Sequence, residues 1–290
     1  MNSSPAPAWI SRFAPGLFVV LWSSGFIGAK FGLPYAEPFT FLLLRLCLVS
    51  SILVVAALAA RAPWPTGFKE IGHVTVAGLL VHGAYLGGVF AAIHDGLPAG
   101  LVALIVGLQP LITAALVGRL FGEKVTARQW LGLVLGLFGV WLVVSQKIAL
   151  TGGVGAYLWC ITALFGITAG TLYQKRFCTR MDLRSGTAVQ YMATCVLLAI
   201  LALSQETMHI EWTAQFVFAL LWLVFVLSVG AIFLLFLLIR QGQAARVASL
   251  FYLTPPTVAV MAWALFGESL PPVALAGFAV VALGVALARR

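Results

Sequence analysis

Leu108-Gln109-Pro110, followed by Leu120-Phe121-Gly122-Glu123, returns as Leu253-Thr254-Pro255 and Leu265-Phe266-Gly267-Glu268, an offset of 145 in a chain of 290 residues. At the same offset Gly132, Gly139 and Val140 meet Gly277, Gly284 and Val285. Apolar sequence matches itself easily. A shared proline and a shared Phe-Gly-Glu at one fixed spacing nevertheless mark a duplication. The two halves are residues 1–145 and 146–290.

The solvent of these halves follows from composition. Hydrophobic residues make up 62% of the chain and charged residues only 9%, 17 Lys or Arg against 8 Asp or Glu, and the mean hydropathy is +1.07. That charge density cannot cover a water-soluble fold, so the chain belongs in lipid. The net charge of +9 does not point to nucleic acid, because the basic residues lie between apolar runs rather than in a patch beside readout groups. Cys47, Cys160, Cys178 and Cys195 show no C-x-x-C spacing and read as packing residues.

A bilayer span needs about 20 mainly apolar residues. Ten runs qualify, beginning near Phe13, Pro38, Ile71, Pro98, Ala127, Gly152, Ser185, Ala214, Gln243 and Pro271. The first run is too long for a signal peptide, so the first helix is expected to be retained. Turn chemistry separates the runs, for example Ala62-Pro63-Trp64-Pro65 and Asp95-Gly96-Leu97-Pro98. With the N-terminus in the cytoplasm, every Lys and Arg except Lys30, Arg45 and Lys147 falls on the cytoplasmic side. The positive-inside rule therefore places both termini there. Five spans per half is an odd number, so the halves enter the membrane in opposite directions. The expected fold is an all-α membrane protein of ten transmembrane helices arranged as two inverted five-helix repeats. That is a transporter architecture, because exchanging the conformations of two similar halves moves access from one face to the other.

Other classes lack their signatures. There is no G-x-x-x-x-G-K-[ST] loop for ATP, and neither G-x-S-x-G nor H-E-x-x-H for an enzyme. A channel would need rings of polar groups along a pore. No cofactor and no metal are expected.

The sequence resembles the drug/metabolite transporter superfamily, specifically the EamA family of ten-helix inner-membrane exporters. The resemblance rests on Leu21-Trp22-Ser23-Ser24-Gly25-Phe26, Phe41-Leu42-Leu43-Leu44-Arg45, Gly107-Leu108-Gln109-Pro110 with Phe121-Gly122-Glu123-Lys124, and the second copy at Pro255 and Gly267-Glu268. It implies a bacterial inner-membrane protein that exports small metabolites, amino acids above all, with the lipid bilayer and a small molecule as its partners. It also implies a cavity lined from Trp22, Ser23, Phe26, Tyr85, Gln109, Phe165, Tyr173, Phe233 and Tyr252, aromatic walls with a few polar groups that suit an amphipathic metabolite.

Arg45 is the only charge deep in a span, and such a charge faces the protein interior or a wet cavity. It either binds a substrate carboxylate or ties helix-end carbonyls, and its mate at offset 145 is the uncharged Gln190. His82, in mid-span, either joins the cavity, shuttles protons or bonds across helices. No Asp or Glu lies within a span, which favours a facilitator over a proton-coupled exporter. Pro110 and Pro255 read as paired mid-span hinges or as packing kinks. Lys30 either holds the mouth of the pathway or snorkels. The small-residue spacings Gly28/Gly32, Gly83/Gly87, Gly132/Gly136 and Gly166/Gly170 favour packing within the chain, so a monomer is expected, with dimer faces as the alternative.

Overall fold

In the computed structural model, which describes residues 8–113, 116, 126–145, 153–179, 181–231, 234 and 251–288, the described residues form helices joined by short loops and no strand. The helices are α1 (Ala8–Gly32), α2 (Pro38–Ala59), α3 (Phe68–His94), α4 (Ala99–Thr113), α5 (Ala127–Ser145), α6 (Val154–Phe177), α7 (Leu183–Gln205), α8 (Ala214–Ala231), α9 (Thr254–Phe266) and α10 (Pro272–Ala288). Six of them, α1, α2, α3, α6, α7 and α8, contain stretches long and apolar enough to cross a bilayer, and the others contribute shorter apolar stretches.

Their starts follow ordinary end chemistry. Pro38 opens α2 at a position where a missing N–H loses nothing. Asp182 caps α7 by accepting from the N–H groups of Arg184 and Ser185, and Thr213 caps α8 by accepting from the Phe216 N–H. The α2 cap is supplied from the other half. Both Glu206 carboxylate oxygens lie 2.7 Å from backbone nitrogens, those of Phe39 and Thr40, and the Thr40 hydroxyl donates to the same group at 2.7 Å. A carboxylate over a helix N-terminus also meets the positive end of the helix dipole.

The pairing of helices carries the duplication into three dimensions. At offset 145 the mates are α1 with α6, α2 with α7, α3 with α8, α4 with α9 and α5 with α10. Three mates pack on each other: α2 on α7, α4 on α9 and α5 on α10. The other contacts exchange, α1 packing on α8 while α3 packs on α6. This is the pattern of a two-fold relation. The end of α7 meets the start of α2 at Glu206, and the Ser185 hydroxyl at the start of α7 donates to the Pro63 carbonyl just past the end of α2. These mates therefore run antiparallel, and the halves are inverted.

Close approach of α5 and α10 depends on glycine. A Cβ at Gly284 would stand 2.6 Å from the Gly132 carbonyl oxygen, and one at Gly139 would stand 2.7 Å from that of Gly277. The small-residue spacings read from the sequence face helices of the same chain, such as Gly28 against Leu223 and Gly166 against the backbone of Tyr85.

Two features depart from regular α-helix, again as mates. α3 is wound as a π-helix over Leu79–Leu86 and α8 over Trp222–Ala231; Leu79–Leu86 maps onto Val224–Ala231. π turns hold an extra residue and concentrate at functional sites. The second pair of features corrects the reading of the prolines. α4 is interrupted by a turn at Gly107 and Leu108, and α9 is preceded by a 3₁₀ turn at Phe251–Leu253. Pro110 and Pro255 thus stand in the first turn after each break, where the lost donor has no helical partner to leave behind, rather than interrupting a continuous helix. Gly107 faces Pro255, at 2.8 Å from its Cγ to an added Cβ.

Candidate functional site

The two π-helical segments face each other across a cavity of about 150 Å³ at the boundary between the halves. α1 contributes Trp22, Gly25 and Phe26; α2 contributes Arg45; α3 contributes Val81, His82, Tyr85, Leu86, Val89 and Phe90. From the second half come Ile167 of α6, Tyr191 of α7 and Leu227 and Ser228 of α8. The cavity lies on the relation between the repeats: Trp22 and Ile167 are mates, as are His82 and Leu227. Its polarity is weighted toward the first half, the second adding Tyr191 and Ser228. Tryptophan and histidine of the first half stand opposite isoleucine and leucine of the second.

Arg45 is buried, and its Nη2 donates to the Ser228 hydroxyl at 3.2 Å. That hydroxyl in turn donates to the Leu223 carbonyl at 2.9 Å, five residues back along the π segment. Arg45 Nε has no hydrogen-bond partner among the described residues. A buried guanidinium with a donor to spare is expensive in an apolar interior unless an anion or water meets it. Among the described residues no acidic side chain lines the cavity.

His82 is held from the second half. Its Nε2 lies 3.3 Å from Gln190 Oε1, and its ring stands edge-on to Tyr191 with centroids 4.3 Å apart. An amide oxygen only accepts, so His82 Nε2 is the donor in this contact. Gln190 can reach His82 because Gly78, one residue before the π segment, lets the backbones touch: a Cβ there would stand 2.7 Å from Gln190 Cα. Beside the cavity, Trp22 packs against Phe18 and edge-on to Phe251, while Trp222 Nε1 donates to the Ser24 hydroxyl at 2.8 Å.

The structure brings together Trp22, Phe26, Arg45, His82 and Tyr85 from the residues read in the sequence. Phe165 stands apart from this cavity: it is 65% exposed and lines, with Tyr173, Ile112 and Leu116, a second pocket of about 720 Å³, whereas the position of α6 that lines the cavity beside Arg45 is Ile167, about 200° further round. Tyr173 is likewise elsewhere: its hydroxyl pairs with His73 Nδ1 at 2.8 Å and its ring packs on Phe177. Gln109 turns along its own helix toward the Thr113 hydroxyl, and Ser23 is buried outside the lining with no partner for its Oγ among the described residues. Phe233 and the Tyr252 side chain lie outside the described residues. Tyr191 and Ser228 were not singled out by sequence. The signal for Ser228 was a lone hydroxyl in an otherwise apolar run; nothing local marked Tyr191.

The EamA-like transporter family model matches residues 16–145 and again residues 154–290. The chain belongs to the EamA-like transporter family. Relatives in this family include the "Uncharacterized transporter YvbV" of Bacillus subtilis, 28% identical over 93% of this chain and 88% of its own. The "Probable amino-acid metabolite efflux pump" of Salmonella typhimurium is 26% identical over 93% of this chain and 91% of its own. The "Probable terminal-alkyne amino-acid exporter" of Streptantibioticus cattleyicolor is 28% identical over 94% of this chain and 91% of its own. A solved crystal structure shares the fold, with a TM-score of 0.69 at 18% identity over 95% of this chain and 96% of that one. This EamA-like protein is accordingly a multi-pass membrane transporter of small metabolites and not an enzyme.

Proposed function

We propose that this EamA-like protein is a facilitative amino-acid exporter of the bacterial inner membrane, working by alternating access between halves 1–145 and 146–290, with both termini in the cytoplasm. The observation that carries the reading is the buried Arg45 with its unpartnered Nε at the wall of the inter-half cavity. A substrate carboxylate supplies the missing counter-charge and a charge-assisted hydrogen bond. Trp22, Phe26, Tyr85 and Tyr191 form the walls for a neutral or aromatic side chain. Two relatives carry names that refer to amino acids. The breaks ahead of Pro110 and Pro255 are the hinges, and the chain acts as a monomer.

Substrate enters from the cytoplasm, the segments beyond the hinges rock, and release follows outside. The sequence places no Asp or Glu within a span, so the cycle runs down the substrate gradient without proton exchange. The test is flux of labelled amino acids, aromatic and small neutral, in liposomes with and without an imposed pH gradient. Saturable flux that ignores the gradient is expected. Flux driven by the gradient would instead assign His82 a coupling role, and no flux for any amino acid would refute the substrate class.

A further inference from the structure

α1 and α6 are mates, and so are α9 and α4, so the seam of α1 with α9 corresponds to that of α6 with α4 at the opposite end of the bundle. The two seams are not built alike. At the end of α1 the Phe31 ring meets those of Phe266 and Phe218, each with centroids 6.2 Å apart. Beside it Lys30 Nζ pairs with Glu268 Oε1, and that carboxylate also accepts from the Ala99 N–H at 3.2 Å. Rings and an ion pair drawn from both halves fill this seam.

The corresponding seam holds the groove of about 720 Å³ instead. Ile112 borders it from α4, and Ile161, Phe165, Thr168, Leu172 and Arg176 border it from α6 at the three- and four-residue spacing of one helix face. From Ile161 to Arg176 that face is about 22 Å long. Thr168 in the groove follows directly on Ile167, which lines the cavity beside Arg45. The groove therefore reaches from the end of α6 to the depth of the cavity, with α6 as the wall between them.

The mate of Phe31 is Arg176. Where one seam is filled by a ring, the other carries an exposed guanidinium at the rim of the groove. Its carbon lies 5.6 Å from the centre of the Phe177 ring, which stacks on His73 at 4.6 Å and 7° between planes. Among the described residues no acidic side chain lines the groove or pairs with Arg176. An unpaired cation above an apolar wall attracts a small anion and then shelters its apolar part.

We propose that the groove between α4 and α6 is the water-filled entrance from the cytoplasm, and that Arg176 at its rim is the first contact of a carboxylate-bearing metabolite on its way to Arg45. This rests on the alternating access proposed above and adds the route and the capture site. The filled seam of α1 with α9 and the open one of α6 with α4 are then the closed and open ends of one pathway.

The test uses the full chain with Cys47, Cys160, Cys178 and Cys195 replaced and a single new thiol at Phe165→Cys or Ala169→Cys, in inside-out membrane vesicles. A membrane-impermeant anionic methanethiosulfonate is expected to modify both thiols, since reaction needs a hydrated thiolate. Adding Arg176→Gln is expected to slow that reaction about fivefold at low salt and much less at high salt, while a neutral methanethiosulfonate reacts at an unchanged rate. Labelling only by a lipid-soluble maleimide would show the groove to be filled by lipid and overturn the entrance. Equal slowing of the anionic and neutral reagents, or none, would overturn the role of Arg176. No substrate is needed, so absence of amino-acid flux would refute the substrate class and leave this result standing. Where flux is measured, Arg176→Gln is expected to raise the half-saturating concentration about fivefold with the maximal rate kept, and Arg176→Lys to restore it.

Discussion

Arg45 of the first half and Ser228 of the second are joined at 3.2 Å across the cavity, so the one buried charge among the described residues is steered by a hydroxyl that the other half presents from its π segment. Removing the two partners should have unequal effects. Arg45→Gln removes the charge and should weaken carboxylate-bearing substrates by about 1.5–3 kcal/mol, or roughly tenfold to a hundredfold. Ser228→Ala leaves the charge and removes one positioning bond, about 1 kcal/mol or fivefold. Concentration dependence of flux for each variant measures both, and an equal loss for a substrate without a carboxylate would assign Arg45 a structural role.

The sulfur atoms of Cys47 on α2 and Cys195 on α7 lie 3.6 Å apart. A membrane-permeant oxidant should therefore link the two helices into a disulfide within one chain, detected as the loss of two alkylatable thiols by mass. Cys47→Ser or Cys195→Ser should abolish it. Failure of the native pair to react would contradict the facing of α2 and α7.

Between α5 and α10 there is no room for side chains at the crossing. Gly284→Val would place carbon 2.6 Å from the Gly132 carbonyl, and overpacking of this kind typically costs about 1–3 kcal/mol. A lowered melting temperature in detergent is expected. The same substitution at Gly16, where an added Cβ meets nothing within 4 Å, should be neutral by the same measurement.

Asp182 sets a pH dependence. Burial alone would raise its pKa, but the Arg184 side chain and the N–H groups of Arg184 and Ser185 outweigh that and hold it below its ordinary value of 3.8. A lowered folded-state value means that its stabilisation is present above the unfolded value and is lost as pH falls through the folded one. Asp182→Asn keeps a capping oxygen but drops the charge. Its stability should fall short of the native chain at neutral pH by about 1 kcal/mol or less, and the gap should close in acid below about pH 3.8, as melting curves at both pH values would show.

Much of this was legible before any coordinates. The repeat showed itself because proline and glutamate are rare enough in an apolar chain for a fixed offset to stand out, and the described span starts followed from turn and cap residues, the one near Gln243 lying outside the described residues. Arg45 and His82 were visible because a polar group within a span needs a reason to be there. Phe165 and Tyr173 line the pocket between α4 and α6 rather than the cavity beside Arg45, a distinction that only the rotation of α6 decides. The π segments were not legible at all. Their backbone pattern carries no residue signature, yet each shifts the helix phase and so decides that His82 and Ser228 face the same space. Tyr191 comes to the cavity, and Gln190 to His82, only through the packing of α7 on α2 and α3, a relation between residues more than a hundred positions apart.

The contact between α2 and α7 has a mechanical consequence. At one end Glu206 grips the start of α2, Thr207 donates twice to Glu37, and Ala36 bridges Ile210; at the other, Ser185 holds Pro63. Two rods lashed at both ends cannot slide or pivot past one another without breaking several hydrogen bonds at once. In the cycle proposed above they would be the stator, with Arg45 mounted on it. Whatever swings to admit and release a passenger would then swing around that fixed charge, and the proposal has the passenger stay anchored while the walls change places.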